Sequence, residues 1–140
     1  MIDMCGMKPD GKPYRVLIVD DSVFIAKQLS QILKSEGFEV AGIAPDGRIG
    51  VQMYEEMSSN VDLVTMDITM PGMDGISALE KIRAINKNAS VVMVTALGKE
   101  NLVKRCMLMG AKNFIVKPID RSALLTRVSA VLGIKPGFAK

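Results

Sequence analysis

From residue 15 onward, short apolar runs alternate with longer stretches in which apolar residues recur every three or four positions. The runs are RVLIV (15–19), FEVAGIA (38–44), VDLVTM (61–66), SVVMVT (90–95) and KNFIV (112–116). They are short, rich in β-branched residues and apolar almost throughout, the pattern of strands buried on both faces. Between and after them lie helical stripes: Ile25, Leu29, Ile32 and Leu33; Ile49, Met53 and Met57; Ile76, Leu79, Ile82 and Ile85; Leu102, Val103, Cys106 and Met107; Leu124, Leu125, Val128, Val131 and Leu132. The first helix begins at Ser22, Asp46 is the expected N-cap of the second, and Asp74-Gly75 opens the third. Gly37, Gly110 and Gly133 stand where the first, fourth and fifth helices should stop. Five strands alternating with five helices through short connections predict an α/β fold: a parallel sheet, right-handed crossovers and helices on both faces. Strand order 2-1-3-4-5 makes this a doubly wound (βα)5 domain over residues 14–133. Residues 1–13, rich in Gly, Pro, Asp and Lys, are expected to be a flexible N-terminal extension, and 134–140 a short C-terminal tail.

Composition mostly excludes. The chain has 140 residues, enough for one domain with a real core. No apolar run approaches the length of a membrane span, and the first residues lack the cationic and apolar segments of a signal peptide, so a cytoplasmic location is expected. The net charge of +3 comes from scattered residues, which argues against nucleic-acid binding and gives no basis for a membrane partner. Two cysteines, Cys5 and Cys106, fit no metal or redox spacing and are expected to be reduced thiols. Eleven methionines are expected to fill gaps in the core. There is no histidine, which removes imidazole bases, Ser-His and Cys-His nucleophile pairs, and His-ligated metals. If a phosphohistidine takes part, another protein carries it.

The stretch VTMDITMPGMDG (64–75) ends its apolar run on Asp67 and then breaks into Pro71 and Gly72. An acid in that position suits a cap, a solvated loop, a metal ligand or a nucleophile. The other strand ends narrow the choice. Strand one is followed by Asp20 and Asp21, strand four ends on Thr95, and strand five is followed by Lys117 and Pro118. Only strand two ends on inert residues, Ala44 and Pro45. With order 2-1-3-4-5 the strand order reverses between strands one and three, where open α/β sheets bind ligands. Asp20, Asp21 and Asp67 would meet there, flanked by Thr95 and Lys117. Each alone has an ordinary explanation, such as a cap or a surface lysine; together at adjacent strand ends they point to chemistry. Three close carboxylates repel, and a hard divalent cation relieves them, Mg²⁺ or alternatively Mn²⁺. One carboxylate, best Asp67, could attack phosphorus, while Lys117 and the Thr95 hydroxyl bind the phosphoryl oxygens.

VDDS (19–22), DITMPGMDG (67–75), VTAL (94–97) and FIVKP (114–118) together resemble the receiver domains of response regulators in two-component signalling. The resemblance runs from about Arg15 to Leu132 and implies a flavodoxin-like fold. It implies that Asp67 accepts a phosphoryl group from a kinase phosphohistidine. Asp20, Asp21, Asp67 and the backbone carbonyl of Thr69 would then organise Mg²⁺. It makes Thr95 and Phe114 a switch pair, and the peptide bond before Pro118 cis. Phe114 lacks the hydroxyl of the tyrosine common at its position, and Leu97 cannot hydrogen-bond a hydrolytic water. The chain is similar to stand-alone chemotaxis regulators, whose output would be a partner surface near Val103, Phe114, Val116 and Arg127. The partners so implied are a chemotaxis histidine kinase, a flagellar motor switch protein and a phosphatase, with the regulator itself a monomer. No enzymatic turnover is expected beyond phosphoryl acceptance and self-dephosphorylation. A phosphorelay intermediate, or a receiver regulating another enzyme, would have the same site. A Mg-dependent phosphatase of the haloacid-dehalogenase type wants a second acid two residues after its nucleophile, where this chain has Thr69. A flavodoxin-like FMN binder would not set two aspartates against its phosphate.

Overall fold

The computed structural model describes residues 5–134, so the expectations for residues 1–4 and 135–140 lie outside the described residues. Five strands form one parallel sheet in the order β2-β1-β3-β4-β5. They are β1 (Arg15–Val19), β2 (Glu39–Ala44), β3 (Leu63–Asp67), β4 (Val91–Thr95) and β5 (Asn113–Val116). The intervening helices are α1 (Val23–Ser35), α2 (Gly47–Met57), α3 (Gly75–Ile85), α4 (Glu100–Leu108) and α5 (Arg121–Leu132). Alternate strand residues feed opposite layers. Leu17, Val19, Val64 and Met66 pack with Tyr54, Leu79, Ile82 and Cys106 beneath α2, α3 and α4. Val16, Ile18, Leu63 and Val92 pack with Leu29, Leu33, Leu124 and Val128 beneath α1 and α5. Met66, Met70 and Met93 are buried in the first layer, with Met53, Met57, Met73 and Met109 packed around them, as gap-filling requires.

The starts of α1, α2 and α3 are built as expected, and α5 begins the same way. Ser22, Asp46, Asp74 and Asp120 each accept a hydrogen bond from the backbone N–H three residues on, which satisfies a donor that the helix itself leaves free. Gly133 ends α5 in the left-handed conformation at φ +70°.

Two expectations are revised. The third strand begins at Leu63 rather than Val61, because the Asp62 carboxylate turns back to accept from the Arg15 backbone N–H at 2.8 Å. It ends on Asp67, as expected. The expected flexible extension is packed from Cys5 onward. Met7 and Pro13 bridge antiparallel around a turn in which Gly11 has φ +86°. Gly6 donates to the Glu36 carbonyl at 2.8 Å and accepts from the Tyr14 N–H at 2.7 Å. Cys5 is buried in the α1–α5 layer, and Lys8 pairs with Asp62 at 3.1 Å. The turn closes the end of the sheet where the strands begin.

Candidate functional site

Parallel strands all end on the same side, and the register fixes what meets there. Val19 pairs with Met66, Asp67 with Val94, and Thr95 with Val116. Asp20, Asp67 and Thr95 thus stand side by side, all three buried, with Asp21 exposed at the rim. One carboxylate oxygen from each of Asp20, Asp21 and Asp67 lies within 4.8 Å of the others. Lys117 reaches in from the end of β5, its Nζ 3.4 Å from Asp67 Oδ1 and 3.6 Å from Asp20 Oδ2, and the Lys117–Pro118 bond is cis.

The site is electrostatically unfinished. Burial pushes the Asp67 carboxyl up to about 7, the neighbouring Asp20 charge adds to the rise, and Lys117 opposes it. Burial also raises Asp20, against the Ser22 N–H and Lys117, which favour its ionised form. Asp20 Oδ1 accepts from that N–H at 2.8 Å, while Oδ2 is buried with no hydrogen-bond donor. A buried anionic oxygen with no hydrogen bond, facing only the Lys117 ammonium at 3.6 Å and set beside two further carboxylates, suits a hard cation. The residues present therefore fit a divalent ion held by Asp20, Asp21 and Asp67. By contrast, burial raises the thiols of Cys5 and Cys106, which leaves them protonated and inert.

The loop after Asp67 is anchored on both sides. Ile68 and Met70 are buried, leaving Thr69 exposed between them. Gly75 donates to the Ile68 carbonyl at 2.7 Å, and a Cβ at Gly75 would collide with the Asp67 carbonyl. On the other flank the Thr95 hydroxyl donates to the Ala96 carbonyl at 3.2 Å. Beside it a depression of about 340 Å³ is lined by Thr95, Val103, Met107, Phe114 and Val116, with Leu97 at its rim. Arg127 lies over the half-buried Phe114 ring at 4.4 Å. The structure thus brings together every acid, lysine and hydroxyl named from the sequence, and gathers Val103, Phe114, Val116 and Arg127 into one adjoining region.

Sequence reasoning missed two features. Val23 and Phe24, in the first turn of α1, are 79% and 73% exposed, and Val23 lines a depression with Asp20 and Asp21. The signal was available, since neither falls on the stripe of Ile25, Leu29 and Ile32. Asn113 was read only as part of a strand, yet its Oδ1 accepts from both Arg127 at 2.8 Å and the Phe114 N–H at 2.9 Å.

A doubly wound sheet with an acidic trio at its switch point, a lysine from the last strand and a hydroxyl between them defines a receiver. Residues 16–129 match the response regulator receiver domain, and the chain belongs to that family. Its relatives include the chemotaxis protein CheY of Treponema pallidum, 64% identical over 127 residues, covering 91% of this chain and 88% of that protein. Chemotaxis protein CheY of Bacillus subtilis is 44% identical over 119 residues, covering 85% and 98%. Among solved structures, the CheX–CheY–BeF3–Mg²⁺ complex from Borrelia burgdorferi matches with a TM-score of 0.91 and 53% identity, covering 94% of this chain and 98% of that one.

Proposed function

We propose that this chain is a chemotaxis response regulator whose Asp67 accepts a phosphoryl group from a phosphohistidine on a partner kinase. The observation that carries the reading is the buried Asp67 carboxylate, held within 4.8 Å of two other acids and 3.4 Å from Lys117. A carboxylate oxygen of Asp67 attacks phosphorus, the bond from phosphorus to the donor imidazole nitrogen breaks, and the leaving imidazole takes up a proton. The product is an acyl phosphate on Asp67. Mg²⁺, when bound by Asp20, Asp21, Asp67 and the Thr69 carbonyl, supplies positive charge to the transferring oxygens. Lys117 loses its ion pair with the Asp67 carboxylate and gains one with a phosphoryl oxygen. The Thr95 hydroxyl, released from the Ala96 carbonyl, donates to another. The Phe114 ring then moves toward Thr95 across the depression they both line. That rearrangement changes the surface of α4, β5 and α5, including Val103, Val116 and Arg127, and so selects a partner. A motor switch protein is the output this reading assigns, and the CheX seen bound to the Borrelia protein marks a further class of partner. Thr69, two residues beyond the acceptor, is not an acid, which supports acceptance rather than turnover of small phosphate esters.

Incubation with acetyl phosphate and Mg²⁺ tests the chemistry. Intact mass is expected to rise by one phosphoryl group in the wild type and not at all in Asp67→Ala. Label persisting in Asp67→Ala would remove Asp67 as the acceptor.

A further inference from the structure

Resting on that reading of Phe114 as a switch, we propose that Arg127 is a latch that holds the Phe114 ring in its resting position and so sets how readily the site is engaged. Among the described residues β5 is the last strand of the sheet, with no neighbour beyond it. The Arg127 guanidinium lies over the Phe114 ring with Cζ 4.4 Å from the centroid. A guanidinium on an aromatic face is an attractive, directional contact. It is fixed on its other side by Asn113, whose Oδ1 accepts from Arg127 Nη1 at 2.8 Å. The same Oδ1 accepts from the Phe114 backbone N–H at 2.9 Å. One amide oxygen thus ties the guanidinium to the residue whose ring it covers. The depression toward Thr95 lies alongside the ring, so leaving the latch is the cost of moving inward.

Linkage gives the consequence. Whatever stabilises the resting ring weakens, by at most the same factor, any ligand that favours the inward ring. A cation–π contact at a partly exposed site corresponds to an equilibrium factor of about two to five. Arg127→Ala is therefore expected to lower the half-saturating concentration of beryllofluoride with Mg²⁺ by about two- to five-fold. Loss of a positive charge alone would weaken binding of this anion, so the sign separates a latch from long-range electrostatics.

The measurement is an NMR titration of protein carrying ring-¹³C phenylalanine, with the Phe114 signal assigned by substitution. In Arg127→Ala the ligand-free Phe114 signal is expected to lie displaced toward its beryllofluoride-bound position. Arg127→Lys, which keeps the charge over the ring, should return most of the way to wild type. Asn113→Ala, which leaves Arg127 in place but untied, should move the same way as Arg127→Ala by a smaller amount. Affinity unchanged or weakened in both Arg127→Ala and Asn113→Ala, with the ligand-free ring signal not displaced toward the bound position, would overturn the latch. A wild type that fails to bind beryllofluoride at all would instead overturn the acceptor reading beneath it.

Discussion

Asp67 and Asp20 are carboxylates that the fold buries against each other, and their protonation couples the site to stability. Asp67 is pushed up to about 7 in the folded chain, against about 3.9 when unfolded. Between these values the folded state binds more protons than the unfolded state, so stability falls as pH rises from about 4 to 7 and then levels. The Asp20 shift has the same sign. Without metal, Asp67→Asn is therefore expected to be more stable than wild type at pH 8, by on the order of 1–3 kcal/mol. The difference should shrink toward pH 4, and urea denaturation in EDTA at the two pH values would show it. An Asp67→Asn protein no more stable than wild type at pH 8 would mean that Lys117 alone neutralises the pair. Protons and cations compete for the same oxygens, so Mg²⁺ affinity should fall as pH is lowered through about 7, measurable by calorimetry.

At the scale of elements, the site depends on how β3 passes into α3. Asp67 closes the strand, Ile68 and Met70 anchor the loop, and Gly75 begins the helix directly against the Asp67 carbonyl. Gly75→Ala must displace that loop and is expected to cost about 1–3 kcal/mol. It should also slow phosphorylation by acetyl phosphate, because the displaced backbone carries Asp67, the proposed acceptor. Asp74→Ala removes only the cap and should cost about 1 kcal/mol with acceptance close to wild type. The contrast between the two, read by thermal melts and mass labelling, tests whether loop position or helix stability governs the chemistry. The strands and helices were legible because buried parallel strands write continuous β-branched runs, and caps write Ser or Asp ahead of apolar stripes. The crevice was legible because a parallel sheet delivers all its strand ends to one side. The start of β3 was not, since Asp62 leaves the strand pattern through a bond to Arg15, distant in sequence. Nor was the role of Asn113, whose partner Arg127 lies on a different element.

Across the whole molecule, chemistry and closure occupy opposite ends of the sheet. The acids sit where strands finish, and residues 5–14 cover where they start. The order in that segment escaped composition because it comes from tertiary contacts. Gly6 fits against the Gly37–Phe38 backbone where any Cβ would collide, and Cys5 fills the layer between α1 and α5. Deleting residues 1–11 is expected to lower stability by about 1–3 kcal/mol while leaving acetyl phosphate acceptance unchanged. A loss of acceptance in a still-folded truncation would show that the two ends communicate. No helix among the described residues is long and apolar enough to cross a membrane. Partner capture with and without beryllofluoride tests the output, and equal binding of a motor-switch protein in both states would count against a phosphoryl-dependent surface.

The packed N-terminal turn also determines where the molecule can be handled. A fluorophore, affinity handle or fused reporter joined ahead of Cys5 departs from the pole opposite the acidic crevice. A sensor built on that side therefore stands clear of Asp20, Asp21, Asp67 and Lys117 at the other end of the sheet.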